Sequence, residues 1–191
     1  ASWFSVAVSA TGQYQTATVY SGNVYFSNNY GMNWSQMASY EITEGDRFGT
    51  SVSLSANGNT VAVGSPYYDI SGVINCGQVS VYDWSGTSWA MRGTNILIGE
   101  GTNDYSGMSV SLSKDSNVVA IGAPLNDGSG NITDSGHARV YAWNGSAWVQ
   151  RGADIDGGYG ITSTNRVVTT TGTSISAYWL SVSLSSTGQY Q

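Results

Sequence analysis

Polar and apolar residues alternate with a period of two through Ser51-Val-Ser-Leu-Ser55 and again through Ser109-Val-Ser-Leu-Ser113, the spacing that sends successive side chains to opposite faces of a β-strand. The phrase, or a close copy, begins also at Ser5 (SVAVS) and at Ser181. Each copy leads through a short turn into a second apolar run; Thr60-Val-Ala-Val-Gly64 and Val118-Val-Ala-Ile-Gly122 are β-branched and short enough to be buried strands. The turns carry Asn57-Gly58, Thr11-Gly12 and Thr187-Gly188, residues suited to tight hairpins. After a loop of variable length comes a third run, Gln78-Val-Ser-Val-Tyr-Asp-Trp84 or Ala138-Arg-Val-Tyr-Ala-Trp143, then a turn at Ser85-Gly86 or Asn144-Gly145 and a fourth run from Trp89 or Trp148. No segment has the 3.6-residue periodicity of an amphipathic helix. Self-similarity at this scale predicts units that bury their apolar faces against one another.

Four antiparallel strands per unit with a long loop between the second and third is the layout of a β-propeller blade. The pattern predicts an all-β, propeller-type domain over 1–191, alone or as a piece of a longer chain. Its blades fall at about 3–37, 48–93 and 106–152, with a fourth, degenerate or incomplete, at 160–191. Residues 153–177 read as a connector or worn blade, with Arg166-Val-Val-Thr-Thr-Thr171 as one strand. Trp84 and Trp89, like Trp143 and Trp148, flank four-residue turns and are placed to meet across a hairpin. They serve either as staples between sheets or as a sugar-stacking platform; the staple is favoured because the placement recurs with the fold.

Composition narrows the function. Apolar residues make up 40% of the chain, but charged residues only 9%, against about 25% in ordinary soluble domains. Such a surface is suited to packing against neighbours or to carrying glycan. Net charge is −6 without any basic cluster, which disfavours nucleic acid and anionic membranes as partners. No apolar run approaches the ~20 residues of a membrane span. The single cysteine, Cys76, forms no intrachain disulfide and reads as a small apolar filler. Sequons at Asn33, Asn131 and Asn144 fit glycosylation on a secretory route and an extracellular or cell-surface location. The Ala1-Ser-Trp-Phe start reads as folded sequence from which something upstream was removed.

Two resemblances follow from motifs. Arg47-Phe48-Gly49-Thr50-Ser51-Val52 with Val63-Gly64-Ser65-Pro66, and Ser109-Val110 with Ile121-Gly122-Ala123-Pro124, resemble FG-GAP repeats of integrin-α-type propellers over about 47–152. Members of that family often hold calcium in an Asp-rich loop; here Ala56-Asn-Gly-Asn-Thr60 and Lys114-Asp-Ser-Asn117 are too short and too poor in carboxylates for six to eight oxygen ligands. Ser27-Asn28-Asn29-Tyr30-Gly31-Met32-Asn33-Trp34 resembles the S-x-D-x-G-x-x-W Asp-box of sialidase-like BNR repeats, with Asn for Asp, over about 3–37. In that family the box is a structural turn. The family's three convergent arginines, nucleophilic tyrosine and partner carboxylate have no counterpart signature among Arg47, Arg92, Arg139, Arg151 and Arg166, so no catalytic residue is assigned.

Candidate sites are few. Asp127 and Asp134 bracket the one loop with some character of a metal site, calcium being the cation it leaves open, but glycines stand where further ligands belong. Asp154-Ile-Asp156-Gly-Gly is half of such a loop. His137, the only histidine, is expected at a strand start with its ring exposed and no zinc. Tyr67, Tyr68 and Asp69 lie on a long loop suited to a ligand face. Trp179-Leu-Ser-Val-Ser-Leu-Ser-Ser-Thr-Gly-Gln-Tyr-Gln191 nearly duplicates Trp3-Phe-Ser-Val-Ala-Val-Ser-Ala-Thr-Gly-Gln-Tyr-Gln15, making Trp179, Val182 and Leu184 a strand without a blade of its own. It must close a ring, join another molecule, or belong to a longer protein. The expected function is that of a non-catalytic structural or adhesive module, self-assembling into a fibre or lattice by strand donation, with itself or a cell-surface glycan as partner. A carbohydrate- or protein-binding module is the alternative, and a divergent glycosidase the third.

Overall fold

A computed structural model of the chain describes residues 2–19, 22–37, 44–93, 97–128, 133–157 and 181–185. Three antiparallel sheets follow one another along the sequence. The first contains β1 (Trp3–Val8), β2 (Gln15–Val19), β3 (Val24–Ser27) and β4 (Ser35–Gln36). The second contains β5 (Ser51–Leu54), β6 (Thr60–Ser65), β7 (Gln78–Trp84), β8 (Trp89–Met91) and β9 (Leu97–Ile98). The third repeats it as β10 (Ser109–Leu112), β11 (Val118–Ala123), β12 (His137–Trp143), β13 (Trp148–Gln150) and β14 (Ile155–Asp156). A 3-10 turn, Glu44–Asp46, leads into the second sheet. The fold is all-β and propeller-type, and the described residues form an open series of blades.

The outer strands of the second and third blades are broken in a way the pattern did not suggest. Along β7, β8 pairs with Tyr82–Trp84, the chain detours, and β9 resumes pairing opposite Gln78 and Val79. β13 and β14 treat β12 in the same way. The second and third blades therefore extend past Gly93 and Gly152.

The alternation decides what each face buries. Val52, Leu54, Val61 and Val63, with Phe48 and Tyr82, point back to the first blade, where they join Val24, Phe26 and Met37. The opposite face supplies Ala62, Val79, Val81 and Leu97 to a second cluster with Leu112, Val119, Ile121 and Trp148 of the third blade. The middle strands β6 and β11 are buried on both faces along their whole length. Burying each such valine or isoleucine is worth about 1.5–3 kcal/mol. The tryptophan pairs meet as expected, with ring centroids 5.3 Å apart for Trp84–Trp89 and 5.5 Å for Trp143–Trp148. Phe26 sets its ring edge-on against Trp89 at 4.9 Å. These aromatics are interblade staples.

Polar latches fix the register between blades. Thr18 Oγ1 donates to the carbonyl of Gly49 (2.6 Å), and Ser51 Oγ to that of Gly107 (2.8 Å). A Cβ on Gly64 would stand 2.0 Å from the Gly107 carbonyl oxygen, so the glycine of the GAP-like element is there to let another blade's backbone in. Arg92 reaches from the second blade to the third: it holds Asp83 through two contacts of 2.7 Å and donates to the Ser116 carbonyl at 2.6 Å. At the blade-one turn, Gly31 N–H donates to Ser27 Oγ (3.0 Å), Asn33 N–H to Asn29 Oδ1 (2.9 Å) and Trp34 Nε1 to the Gly31 carbonyl (3.0 Å).

Residues 181–185 lie against the outward face of the third blade. Val182 and Leu184 pack on Val118, Ala120 and Val140. The segment enters no ladder among the described strands, so its contact is with a sheet face rather than a sheet edge. Trp179, Asn131, Thr187-Gly188 and the strand expected at 166–171 lie outside the described residues.

Candidate functional site: the open face of the first blade

The residues of the first blade that correspond to Val52, Leu54 and Val63 are Val6, Val8 and Ala17, as the paired registers of β1 with β2 and of β5 with β6 show. In the second blade these positions are buried against a neighbour. In the first, no described residue covers Val6 or Val8, and they are 69% and 56% exposed. Trp3, set edge-on to Tyr25 at 5.6 Å, and Trp34 continue the face. Together they line a shallow apolar groove of about 650 Å³. Exposed apolar surface this concentrated marks an interaction site more often than scattered surface leucines do. Among the described residues, no charged side chain lines it.

A second constellation sits where the loop after β9 meets the start of β12. Ligand-capable atoms of Glu100, His137 and Asp154 lie within 4.8 Å of one another. The guanidinium of Arg139 stands among them: it donates to Asp154 through Nε (2.9 Å) and Nη2 (2.6 Å) and contacts Glu100. Burial alone would disfavour the Arg139 charge, but hydrogen bonds to Asp154 and Glu100 outweigh it and raise its pKa further. The Asp154 carboxyl is held below the usual carboxylate range, first by Arg139 and also by Gln150. His137 does begin a strand, but its ring is buried, in contrast to the exposure expected; β12 carries it to the face covered by the Glu100 loop and by the Asp154 detour. Burial, then the Arg139 charge, pushes its pKa down, so the ring is neutral near pH 7. The two carboxylates already share a cation, and the arrangement works as an ion-pair staple between blades two and three.

The other sequence candidates are placed as follows. Asp69 and Asp127 occupy the same position in the two long loops: Asp69 Oδ1 accepts the Asn75 amide (2.6 Å) and Asp127 Oδ1 the Asp134 amide (3.0 Å). Asn75 and Asp134 both have positive φ, 51° and 52°. These carboxylates close their own loops, and Asp127 and Asp134 do not belong to the converging group found among the described residues. Tyr67 is not free for a ligand on all sides, since it meets Tyr105 edge-on at 5.0 Å and lies under the Arg47 guanidinium at 3.9 Å. Tyr68 is half-buried; its carbonyl accepts from Gly77 N–H and from Cys76 Sγ. Cys76 is fully buried and its thiol pKa is raised by that burial, as befits a filler. Asn33 and Asn144 are exposed. Sequence reasoning missed Glu100 and Arg139; their partners come from another blade and from an outer-strand detour, and no local pattern announces either.

Residues 34–82 match the FG-GAP repeat family. The match runs from the end of the first blade through the first three strands of the second, shorter than the 47–152 expected from the motifs. The BNR repeat expected at 3–37 has no corresponding match. No curated protein sequence matches the chain. Among solved structures, the chain resembles a putative 6-phosphogluconolactonase from Bacteroides uniformis at 13% identity and a TM-score of 0.56, over 82% of this chain and 41% of that one. It also resembles the tricorn protease at 13% identity and a TM-score of 0.48, over 73% of this chain and 13% of that one. The chain thus spans well under two thirds of either structure, and its likeness to the lactonase is one of fold.

Proposed function

We propose that the chain is a non-catalytic, extracellular β-propeller module that assembles through its open blade face. The observation that carries this reading is the exposed apolar groove of Trp3, Val6, Val8, Tyr25 and Trp34, the same face that blades two and three bury. Low charge supports assembly, because little electrostatic repulsion opposes contact between copies. Exposed sequons at Asn33 and Asn144 support a secreted, glycosylated protein. The Ser27–Trp34 turn, closed by Asn29 Oδ1 accepting from Ser27 Oγ and the Asn33 amide, supports the BNR-like reading of the first blade. The ion-paired state of Glu100, Asp154 and Arg139 supports a structural rather than catalytic role for the most polar cluster described. Sedimentation velocity and negative-stain electron microscopy of the purified chain test the assembly: the reading expects larger species as concentration rises, and a strictly monomeric chain without filaments refutes it.

A second reading rests on the loops 66–77 and 99–106, which bring Tyr67 and Tyr105 together beneath the guanidinium of Arg47, a residue just before β5. Aromatic rings beside a guanidinium suit a glycan or peptide. Glycan-array binding lost in Tyr67→Ala favours it, and an array without signal removes it.

A further inference from the structure

One segment of the chain shows how a blade's first strand is seated by the blade before it. Leu112 N–H, on β10, donates to Ser53 Oγ of the second blade at 2.9 Å. Leu184 N–H donates to Ser111 Oγ of the third blade at 3.0 Å, and Ser111 holds in β10 the place that Ser53 holds in β5. Val182 and Leu184 then cover Val118, Ala120 and Val140, as Val52 and Leu54 face the first blade. The third blade therefore offers a formed seat for an S-V-x-(V/L)-S segment.

The chain contains a second segment of that kind with nothing described against it. Residues 3–15 differ from 179–191 only at Phe4/Leu180, Ala7/Ser183, Val8/Leu184 and Ala10/Ser186. Val6 and Val8 stand at the positions in the repeated phrase that Val182 and Leu184 hold, in a paired strand that presents both outward. We propose that the open face of the first blade docks on the outward face of the third blade of a second copy, in the seat that residues 181–185 hold within one chain. This rests on the assembly reading above and names its partner surface. It replaces donation of a lone strand to a sheet edge with face-to-face packing, the mode seen between the chain's own blades.

Two consequences follow from the geometry. The contact joins different surfaces of identical chains, so it propagates head to tail unless its rotation closes a ring. Residues 181–185 compete with the incoming blade, so that assembly requires their displacement.

Sedimentation velocity across a concentration series, on four forms of the whole chain, tests this. Val6→Asp with Val8→Asp alters only exposed side chains, so its melting temperature should match the wild type while association weakens by about a hundredfold, the loss of two buried valines. Val182→Ser with Leu184→Ser should strengthen association by about tenfold, since the competitor binds less well. Combining all four substitutions should leave association about tenfold below the wild type, the hundredfold loss being partly offset by the tenfold gain from the weakened competitor. A wild-type chain that never associates overturns both this docking and the assembly reading. Association that Val6→Asp with Val8→Asp leaves unchanged overturns the docking alone, as does strengthened association that persists in the fourfold variant.

Discussion

Gly64→Ala is the sharpest probe of how the blades meet. Gly64 lies on β6, and its φ is not among the positive values, so alanine costs no backbone strain there. Its Cβ would stand 2.0 Å from the Gly107 carbonyl oxygen and 2.4 Å from Ser51 Oγ. Ordinary contact begins near 3.4 Å, so blades two and three must separate by more than an ångström at this point. Such overpacking costs about 1–3 kcal/mol, and losing the 2.8 Å bond from Ser51 to the Gly107 carbonyl adds about 1 kcal/mol. At about 2–4 °C per kcal/mol for a domain of this size, the melting temperature should fall by roughly 5–15 °C. Gly12→Ala is the control: φ there is 75° and nothing lies within 4 Å of its Cβ, so only backbone strain of about 1–2 kcal/mol acts. Thermal melts followed by tryptophan fluorescence compare the two. If Gly64→Ala melts no lower than Gly12→Ala, the close approach of the second and third blades is not as described.

Acid should destabilise the junction of blades two and three in two steps. His137 is buried neutral with a lowered pKa, so the unfolded chain takes up its proton first and stability falls as pH drops below about 6.5; His137→Gln should flatten that part of a melting-temperature profile. Asp154 has a lowered pKa through Arg139, so its contribution is whole above about pH 4 and is lost as pH falls through its folded value; Asp154→Asn should remove that second step. Asp127→Ala should speed amide exchange at Asp134, whose N–H it accepts, while leaving β11 and β12 protected, and exchange spreading into those strands would contradict a purely local role. Asn29→Ala should cost about 1 kcal/mol by freeing the Asn33 amide, read as a shift in the chemical denaturation midpoint, and an unchanged midpoint would contradict the turn geometry.

Much of the fold is legible in the sequence because a period of two, punctuated by Asn-Gly and Ser-Gly, depends only on neighbouring residues. Ser51–Ser55 and its copies mark first strands, and the spacing of Trp84 and Trp89 marks a hairpin whose rings do meet. The broken outer strands were not legible, since β9 and β14 are two residues each and resume pairing after detours with no pattern of their own. The burial of His137 was hidden for a related reason: its cover comes from Glu100 in another blade and Asp154 beyond the outer hairpin. The open face of the first blade was half legible. Val6 and Val8 read as core by periodicity, and only the arrangement of blades shows that this core position lacks a described neighbour.

The central claim is that the S-V-S-L-S copies at Ser109 and Ser181 are docking units seated alike, each by a serine hydroxyl of the sheet it packs on. Hydrogen exchange by NMR at the Leu184 amide tests it most directly, with Leu112 as the internal reference. The account predicts that Leu184 is protected in the wild type and loses protection in Ser111→Ala, as Leu112 does in Ser53→Ala. Exchange of Leu184 at the rate of an unstructured peptide, unaffected by Ser111→Ala, would contradict it.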